Sequence, residues 1–532
     1  HFRITIVSPH NSQKYIASPM KLTTWLKLFV ICLTLLSLII CISFFIGMNK
    51  DPNNAIDRPE NNTQGTLGTI YKQYQGQIYA SVPSNGVYKV DQADAQSFRS
   101  IADGFQNRQF AVDNKQVYCG NLILPKLDPA QTVSLGNGYI SDGKHTFYCA
   151  NMSEPNQTLG KGTQLYQQLL YAWDLAAKPQ TYIYPSFELA PSAQPYRSML
   201  ERVIASNGQQ TYFAGQLMPQ ANPNTLRALP KRYNDGDVRD SHVYFADGQH
   251  VYYQQHLLDL PDQSDLYSIT VDNISQQNYL IAPKQGLAYV DHLAFDPQHA
   301  PYRLISTHGA HVLHGLFISQ AGVYYYDTQT QRIQRAGDNP FAIGQWDEIA
   351  PLIFSNGQET LYVESSERWG SNKNPGLQSR STHIYQLDES STGHWQKIAT
   401  VDHHFGEVWK KGEVFYYFDQ LGPTQLIRQT LYRIADPTLV QQLISSEYHP
   451  NDIRKLIKSE QLVPVKKQKI LTATSTYADA SIVIKATLII FAVLLLLFKL
   501  LHKFKLLPQT ATDSKPAKFR NPLRASKQRN KP

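Results

Sequence analysis

Two kinds of apolar pattern alternate along this chain. From Leu28 to Met48, twenty-one residues pass without a charge, rich in Leu, Ile, Val and Phe. A second such stretch, Ala480 to Leu501, has an uncharged centre at Ala486–Phe498 between Lys485 and Lys499. Between these two, apolar residues come in short aromatic and β-branched runs, broken again and again by Asp-Gly or Asn-Gly. The long runs predict membrane-spanning helices, which need about 20 apolar residues. The short ones predict strands joined by tight turns.

The first long run ends on Phe44-Phe45-Ile46-Gly47-Met48, which lacks the small-x-small exit of a cleaved signal peptide, so it reads as an uncleaved signal anchor. In the second, the stems of Lys485 and Lys499 can reach the interface from within the span. Cytoplasmic flanks are enriched in Lys and Arg. Arg3, Lys14, Lys21 and Lys27 precede the first run, and most basic residues near the second follow it. Both termini are therefore expected in the cytoplasm. The expected divisions are a cytoplasmic segment 1–27, a span 28–48, a linker 49–70, an extracytoplasmic domain 71–450, a juxtamembrane segment 451–479, a span 480–501 and a basic disordered tail 502–532. The chain opens on His1, and the natural start is expected upstream of it.

The central domain is repetitive. "ISDGKHTFYCANM" from Ile140, "VYFADGQHVYYQQHLL" from Val243 and "AVDNKQVYCGNLIL" from Ala111 share one pattern. Asp142-Gly143, Asn207-Gly208, Asp247-Gly248 and Asn356-Gly357 suit turns that demand positive φ, flanked by residues that suit a half-buried pleated surface. Further members begin at Ser84, Ser206, Ser319, Ser355 and Lys410. Several are preceded by an Asp or Asn with an apolar residue or Thr at +4 and an aliphatic one at +7: Asp94, Asp128, Asn222, Asp262 and Asp436. Pro follows three of these directly, as at an N-cap with Pro in the first helical position. Each unit is thus expected to run helical turn, strand, tight turn, strand. Within this order, "LPKLDPAQTVSLGNGYISDGKHTFYC" at Leu124–Cys149 and Asp247-Gly248-Gln249-His250-Val251-Tyr252-Tyr253 resemble the DKNYY family of bacterial envelope repeats. The likeness is good over about 90–260 and fragmentary from there to 435. It implies an envelope protein of repeats and brings no catalytic residues with it.

Two hairpins make a four-stranded sheet of about 55–60 residues, and serial four-stranded sheets favour a β-propeller-like ring. A stacked solenoid of single hairpins and irregular β subdomains are the alternatives. The expected fold class is a mainly β extracytoplasmic domain of repeated hairpins with two transmembrane helices. An insertion between units, "KGTQLYQQLLYAWDLAAKP" from Lys161, has helical spacing at Leu165, Leu169, Ala172, Trp173 and Ala176. It is expected as a short helix packed on the β domain, with partner docking as the alternative.

The net charge of +8 is concentrated at the ends; residues 51–484 are net acidic. Overall charge therefore gives no support for nucleic-acid binding. The basic tail suits anionic cytoplasmic lipid, and the other expected partners are the bilayer and an envelope protein.

Candidate chemistry is sparse. His308, His311 and His314 are spaced by three, which sends successive side chains to opposite faces of a strand and disfavours a shared metal. Asp402, His403, His404 and Glu407 are metal-type ligands whose adjacent histidines diverge in the same way. No nucleophile elbow, phosphate-binding glycine loop or paired-cysteine zinc pattern occurs, and no cofactor is implied. The many tyrosines read as cross-strand stabilisers, or alternatively as the lining of a ligand groove. Cys32 and Cys41 fall in the first span. Cys119 and Cys149 are left outside, where thiols are normally oxidised. As second and fourth strands of one meander they stand about 9.6 Å apart, too far to bridge, whereas in a solenoid they are neighbours, so their pairing stays open.

The function expected from these features is a membrane-anchored binding or scaffolding module in an inner membrane, its main domain periplasmic. The alternative is an envelope enzyme acting on glycan or peptide through scattered loop residues.

Overall fold

The structure is a computed structural model. It describes residues 69–477 except 84–85, 102–103, 234–235, 272–276, 306–311, 372–375, 389–392, 422–426, 428–429 and 446, together with 39, 42, 43, 46, 47, 64 and 65. The chain divides into two compact units, one of residues 51–167 and 178–480 and one of 1–50, 168–177 and 481–532.

In the larger unit the strands form successive antiparallel meanders. Four-stranded meanders occupy 64–89, 99–124, 133–188, 197–217, 227–261, 267–294 and 303–337. Those at 347–387 and 395–434 each gain a fifth strand, Lys467–Thr476 and Leu462–Pro464 respectively. The meanders at 227–261 and 267–294 merge into one eight-stranded sheet because Lys231 and Arg232 pair in parallel with Ser268 and Ile269.

Each repeat unit is thus a whole meander rather than half of one. The two inner strands are the ones the aromatic pattern marks. In the second meander, Phe110–Val112 and Val117–Cys119 are buried at every position. Successive strand residues point to opposite faces, so unbroken burial means that both faces are covered. The half-buried surface expected from the sequence is replaced by a fully enclosed one. The outer strands are short and partly exposed, as at Leu122–Leu124.

What covers the inner strands is the next meander. Phe110, Val117, Ile78, Tyr88, Ile140 and Phe147 share one core drawn from the first three meanders. Tyr139 and Tyr148 pack with Ala205 and Tyr212, and Ile204 and Phe213 with Phe245 and Tyr252. Leu229 and Tyr244 pack with Leu280 and Tyr289, and Tyr279 with Phe317 and Tyr324. Leu316 and Tyr325 pack with Phe354 and Leu361, and Tyr362 with Trp409 and Tyr416. Each core joins neighbours in sequence, as in repeat arrays whose stability is a sum of nearest-neighbour terms. Burying one such side chain contributes roughly 1.5–3 kcal/mol. Closure into a propeller ring is not found: among the described strands, the first sheet has no pairing with the last.

The 133–188 meander carries the insertion, between its third strand, Thr146–Cys149, and its fourth, Ser186–Glu188. The insertion holds a helix α1 at Lys161–Ala172, of which only Ala172 is buried. The expected packing of its apolar residues on the β domain is therefore not what covers it. Near the end of the chain, Asp436 accepts the N–H of Thr438 at 2.9 Å and caps α2, Thr438–Ser445, which buries Leu439, Val440 and Leu443. A further helix, α3, spans Pro450–Lys458. Among the described residues no helix is long and apolar enough to cross a membrane. The expected span 480–501 lies outside the described residues, as does 28–48 apart from five helical positions between Ile39 and Gly47.

Cys119 and Cys149 are joined by a disulfide, with Cα atoms 6.1 Å apart. The 9.6 Å separation expected for one meander does not apply, because the two cysteines sit on the third strands of adjacent meanders. The bond ties one sheet to the next. Beside it, Gly120 at φ +57° passes so close to the Tyr184 ring that a Cβ there would lie 2.0 Å from it. Closing a loop with sequence separation 30 contributes about 3 kcal/mol by chain entropy. Replacing both Cys119 and Cys149 by Ser should therefore lower the denaturant midpoint, and an unreduced, alkylated digest should yield the two peptides linked. Two alkylated thiols in that digest would contradict the bridge.

Candidate functional site

The polar residues singled out by the repeat lie in separate turns, one per meander, and each does the same local work. Asp247 is buried at the head of the turn between Val238–Ala246 and His250–Tyr253. Its Oδ1 accepts the N–H groups of Gln249 at 3.0 Å and His250 at 2.7 Å. Its Oδ2 accepts the N–H of Asn222 at 3.1 Å and the Tyr252 hydroxyl at 3.2 Å. Gly248 takes φ +91°. Asp113 repeats the arrangement: Oδ1 accepts from Lys115 and Gln116, both at 2.7 Å, and Oδ2 from Asp94 N at 2.9 Å and the Tyr118 hydroxyl at 2.7 Å. At Asp142 the donors are Lys144, His145 and, 14 residues back, Asp128 N at 3.0 Å, with Gly143 at φ +87°.

The turn carboxylate therefore joins the two halves of the repeat signature. One oxygen closes the tight turn. The other holds the backbone N–H of the Asp or Asn that opens the unit. At Asp94 that opening residue makes a single turn, with Phe98 N bonded to Asp94 O at 2.9 Å, whereas Asp436 leads into α2. At the Asn-Gly turns the device is weaker. Asn356 accepts only the turn donors Gln358 and Glu359 among the bonds assigned to its Oδ1, with Gly357 at φ +85°. Asn207 likewise accepts from Gln209 and Gln210, and its amide donates to Ser192.

Burial alone would raise these carboxyls. For Asp247 the N–H groups of His250, Asn222 and Gln249 outweigh burial and hold it below its ordinary value. For Asp113, the Asp94 N–H, the Tyr118 hydroxyl and two turn N–H groups do the same. Asp142 is lowered against burial by His145, Asp128 and Lys144.

The tyrosines are spent inside the fold as well. Tyr118 and Tyr252 donate to the turn carboxylates. Tyr139 reaches the next meander, donating to Val203 O at 2.9 Å, and Tyr244 reaches Asn278 O at 2.9 Å and Asp291 O at 3.0 Å. Tyr71 does the same to Gln109 O at 2.6 Å and Gly120 O at 3.0 Å. Burial raises the Tyr71, Tyr139 and Tyr244 hydroxyls far above their usual range, so they act as fixed donors. These bonds run between meanders and add to the cross-strand pairs expected of the tyrosines, such as Tyr139–Tyr148 and Tyr244–Tyr253, whose ring centroids are 5.1 Å apart.

The histidine and carboxylate clusters fall only partly among the described residues. His308 and His311 lie outside the described residues. His314 is buried, its ring nitrogens 2.9 Å from Thr382 Oγ1 and 3.0 Å from Ser475 Oγ. Asp402 accepts Tyr448 N at 3.3 Å, while Glu407 accepts the Lys397 ammonium and the Trp409 indole N–H. Among the described residues, no three His, Cys, Asp or Glu side chains are placed to hold a metal. A cavity of about 230 Å³ opens beside the 133–188 meander, walled by Val133, Leu135, Pro195 and Tyr196, with Ser192 and Lys144 among its polar groups. Lys144 is its one ionisable group other than Tyr196, so the cavity presents no carboxylate pair for acid–base chemistry. It forms between the Asp142-Gly143 turn region and the loop 189–196; the motif marks the turn, but nothing in the sequence marks the loop that closes over it.

Against known proteins, residues 71–256 match the model of the DKNYY family. No curated protein and no solved structure matches the chain. The matched stretch contains the Asp113, Asp142 and Asp247 turns and ends before Asn356.

A carboxyl whose folded-state value is depressed contributes stability that is complete above its unfolded value, about 3.9, and is lost as pH falls through the folded value. Asp247→Asn should cost about 1.5–3 kcal/mol at pH 7, because hydrogen bonds to a charged acceptor become bonds to a neutral one. It should also lose stability less steeply than the wild type below about pH 4. Thermal melts across that range test both, and an unchanged melting temperature at pH 7 with an unchanged acid slope would contradict the assignment.

Proposed function

We propose that this DKNYY-family chain, a β-rich repeat module, is a membrane-anchored scaffold that recruits a protein partner in the bacterial envelope. The observation that carries this reading is how the module spends its polar side chains. The turn carboxylates, the repeat tyrosines and His314 hold meanders to themselves and to one another. Successive meanders packed each on the next present sheet edges and turns, a form that suits a binding platform. Anchoring is supported by the charge-free run Leu28–Met48, the apolar run Ala480–Leu501 and the basic residues on their outer flanks. On this reading the protein is two-pass in the inner membrane, with the repeat module periplasmic and the basic tail against anionic cytoplasmic lipid.

Reporter fusions at Lys21 and Lys518 should give cytoplasmic activity and a fusion at Gly248 extracytoplasmic activity; a cytoplasmic signal at Gly248 would overturn the topology. Purification of the full chain in mild detergent, with and without prior cross-linking, should recover a defined envelope protein in a fixed ratio. Recovery of the chain alone under both conditions would overturn the scaffold.

A further inference from the structure

The insertion helix α1 has an apolar side that is partly exposed among the described residues. Leu165, Tyr166 and, just past the helix end, Trp173 and Leu175 are 41%, 61%, 53% and 71% exposed. Leu165, Leu169 and Trp173 recur at intervals of four, which puts them on one face, with Tyr166 and Leu170 beside them. A helix of a globular domain turns such a face to the core. The remaining side carries Gln164, Gln167 and Gln168, and no charge occurs from Gly162 to Trp173.

The C-terminal end of this segment is held by a different part of the chain. The Trp173 indole N–H donates to Ser43 Oγ at 2.9 Å, and Ser43 donates in turn to Ile39 O at 2.7 Å. At Gly47, a Cβ would stand 2.7 Å from the Gln168 amide nitrogen and 3.9 Å from Ala172 Cβ. Ser43 and Gly47 are one helical turn apart, and small residues at that spacing let a second helix approach closely. On the same helical segment Ile39 and Ile42 are exposed. All of these positions belong to the charge-free run Leu28–Met48, and Gly47 is its penultimate residue.

We propose that α1, with Trp173 and Leu175, lies flat in the extracytoplasmic interface of the bilayer, docked on the Ser43–Gly47 face of the first apolar helix. The inference rests on the membrane-anchored reading above. The occupant of the exposed face is lipid, for three reasons. The contacts to Ser43 and Gly47 place the end of α1 at the end of the apolar run, where a spanning helix leaves the hydrocarbon. Ile39 and Ile42, on the segment that holds the end of α1, are exposed apolar side chains as well. Trp and Tyr favour the headgroup level, where an amphipathic ring has both an apolar and a wet side. A polar face of glutamines supplies no cationic attraction, so the helix should insert through its apolar residues irrespective of anionic lipid. The consequence is a third membrane attachment, in the middle of the chain.

The test uses the full chain in native membranes, with the photoreactive residue p-benzoylphenylalanine replacing Leu36, Gln164, Tyr166, Gln167 or Leu175 one at a time. Position 36 lies well inside the apolar run and reports the anchor itself. After irradiation, lipid adducts should form at 36, 166 and 175, with several-fold less at 164 and 167. Lipid at 36 with only protein adducts, or no adduct, at 166 and 175 would overturn the interfacial helix while leaving the anchor standing. No lipid adduct at 36 would remove the anchor and the inference together.

Discussion

The buried turn aspartate is the interaction on which the repeats depend. A tight turn between two fully enclosed strands leaves backbone N–H groups that no strand partner takes up, and a hydrogen bond from such a group to a charged acceptor contributes about 1.5–3 kcal/mol. One carboxylate oxygen of Asp113 or Asp247 satisfies two of them. The other oxygen takes the N–H of Asp94 or Asn222, 19 and 25 residues earlier. A local turn thereby becomes a long-range clamp that brings the start of the unit against its centre. At Asp113 the Tyr118 hydroxyl adds a further donor that favours the ionised form despite burial.

That clamp explains why the aromatic runs are so regular. The inner strands must be apolar on both faces, because each lies between two sheets. Their tyrosines must also find acceptors in the dry interior, and they find them at the neighbouring unit's backbone, as Tyr139 does at Val203 and Tyr244 at Asn278. Packing, hydroxyl bonds and one disulfide therefore all act between nearest neighbours. The short outer strands and the turns are the parts of each meander that stay partly exposed, as at Leu122–Leu124.

The turns were legible in the sequence because Asp-Gly and Asn-Gly satisfy a backbone demand that few pairs meet: positive φ at Gly143, Gly248 and Gly357. The mainly β character followed from the aromatic runs. The number of strands per unit did not, since outer strands such as Arg99–Ser100 and Leu122–Leu124 are short and take their conformation from the inner strands they pair with. That miscount placed Cys119 and Cys149 in one sheet and led to the ring. The second role of the turn carboxylates was hidden for a related reason. A sequence shows that Asp247 begins a turn, but its bond to Asn222 depends on how the unit folds back. The His314 contacts, drawn from residues 68 and 161 positions away, left no local signature at all.

Amide hydrogen exchange on the wild type and on Asp247→Ala tests the clamp most directly. If the carboxylate holds the whole unit, protection should fall at Gln249 and His250 and also at Asn222, in Arg227–Arg232 and in Val238–Ala246, while distant meanders such as 347–387 keep theirs. A loss of protection confined to residues 248–250 would contradict the account, because the aspartate would then be an ordinary turn residue and the unit would be held by packing alone.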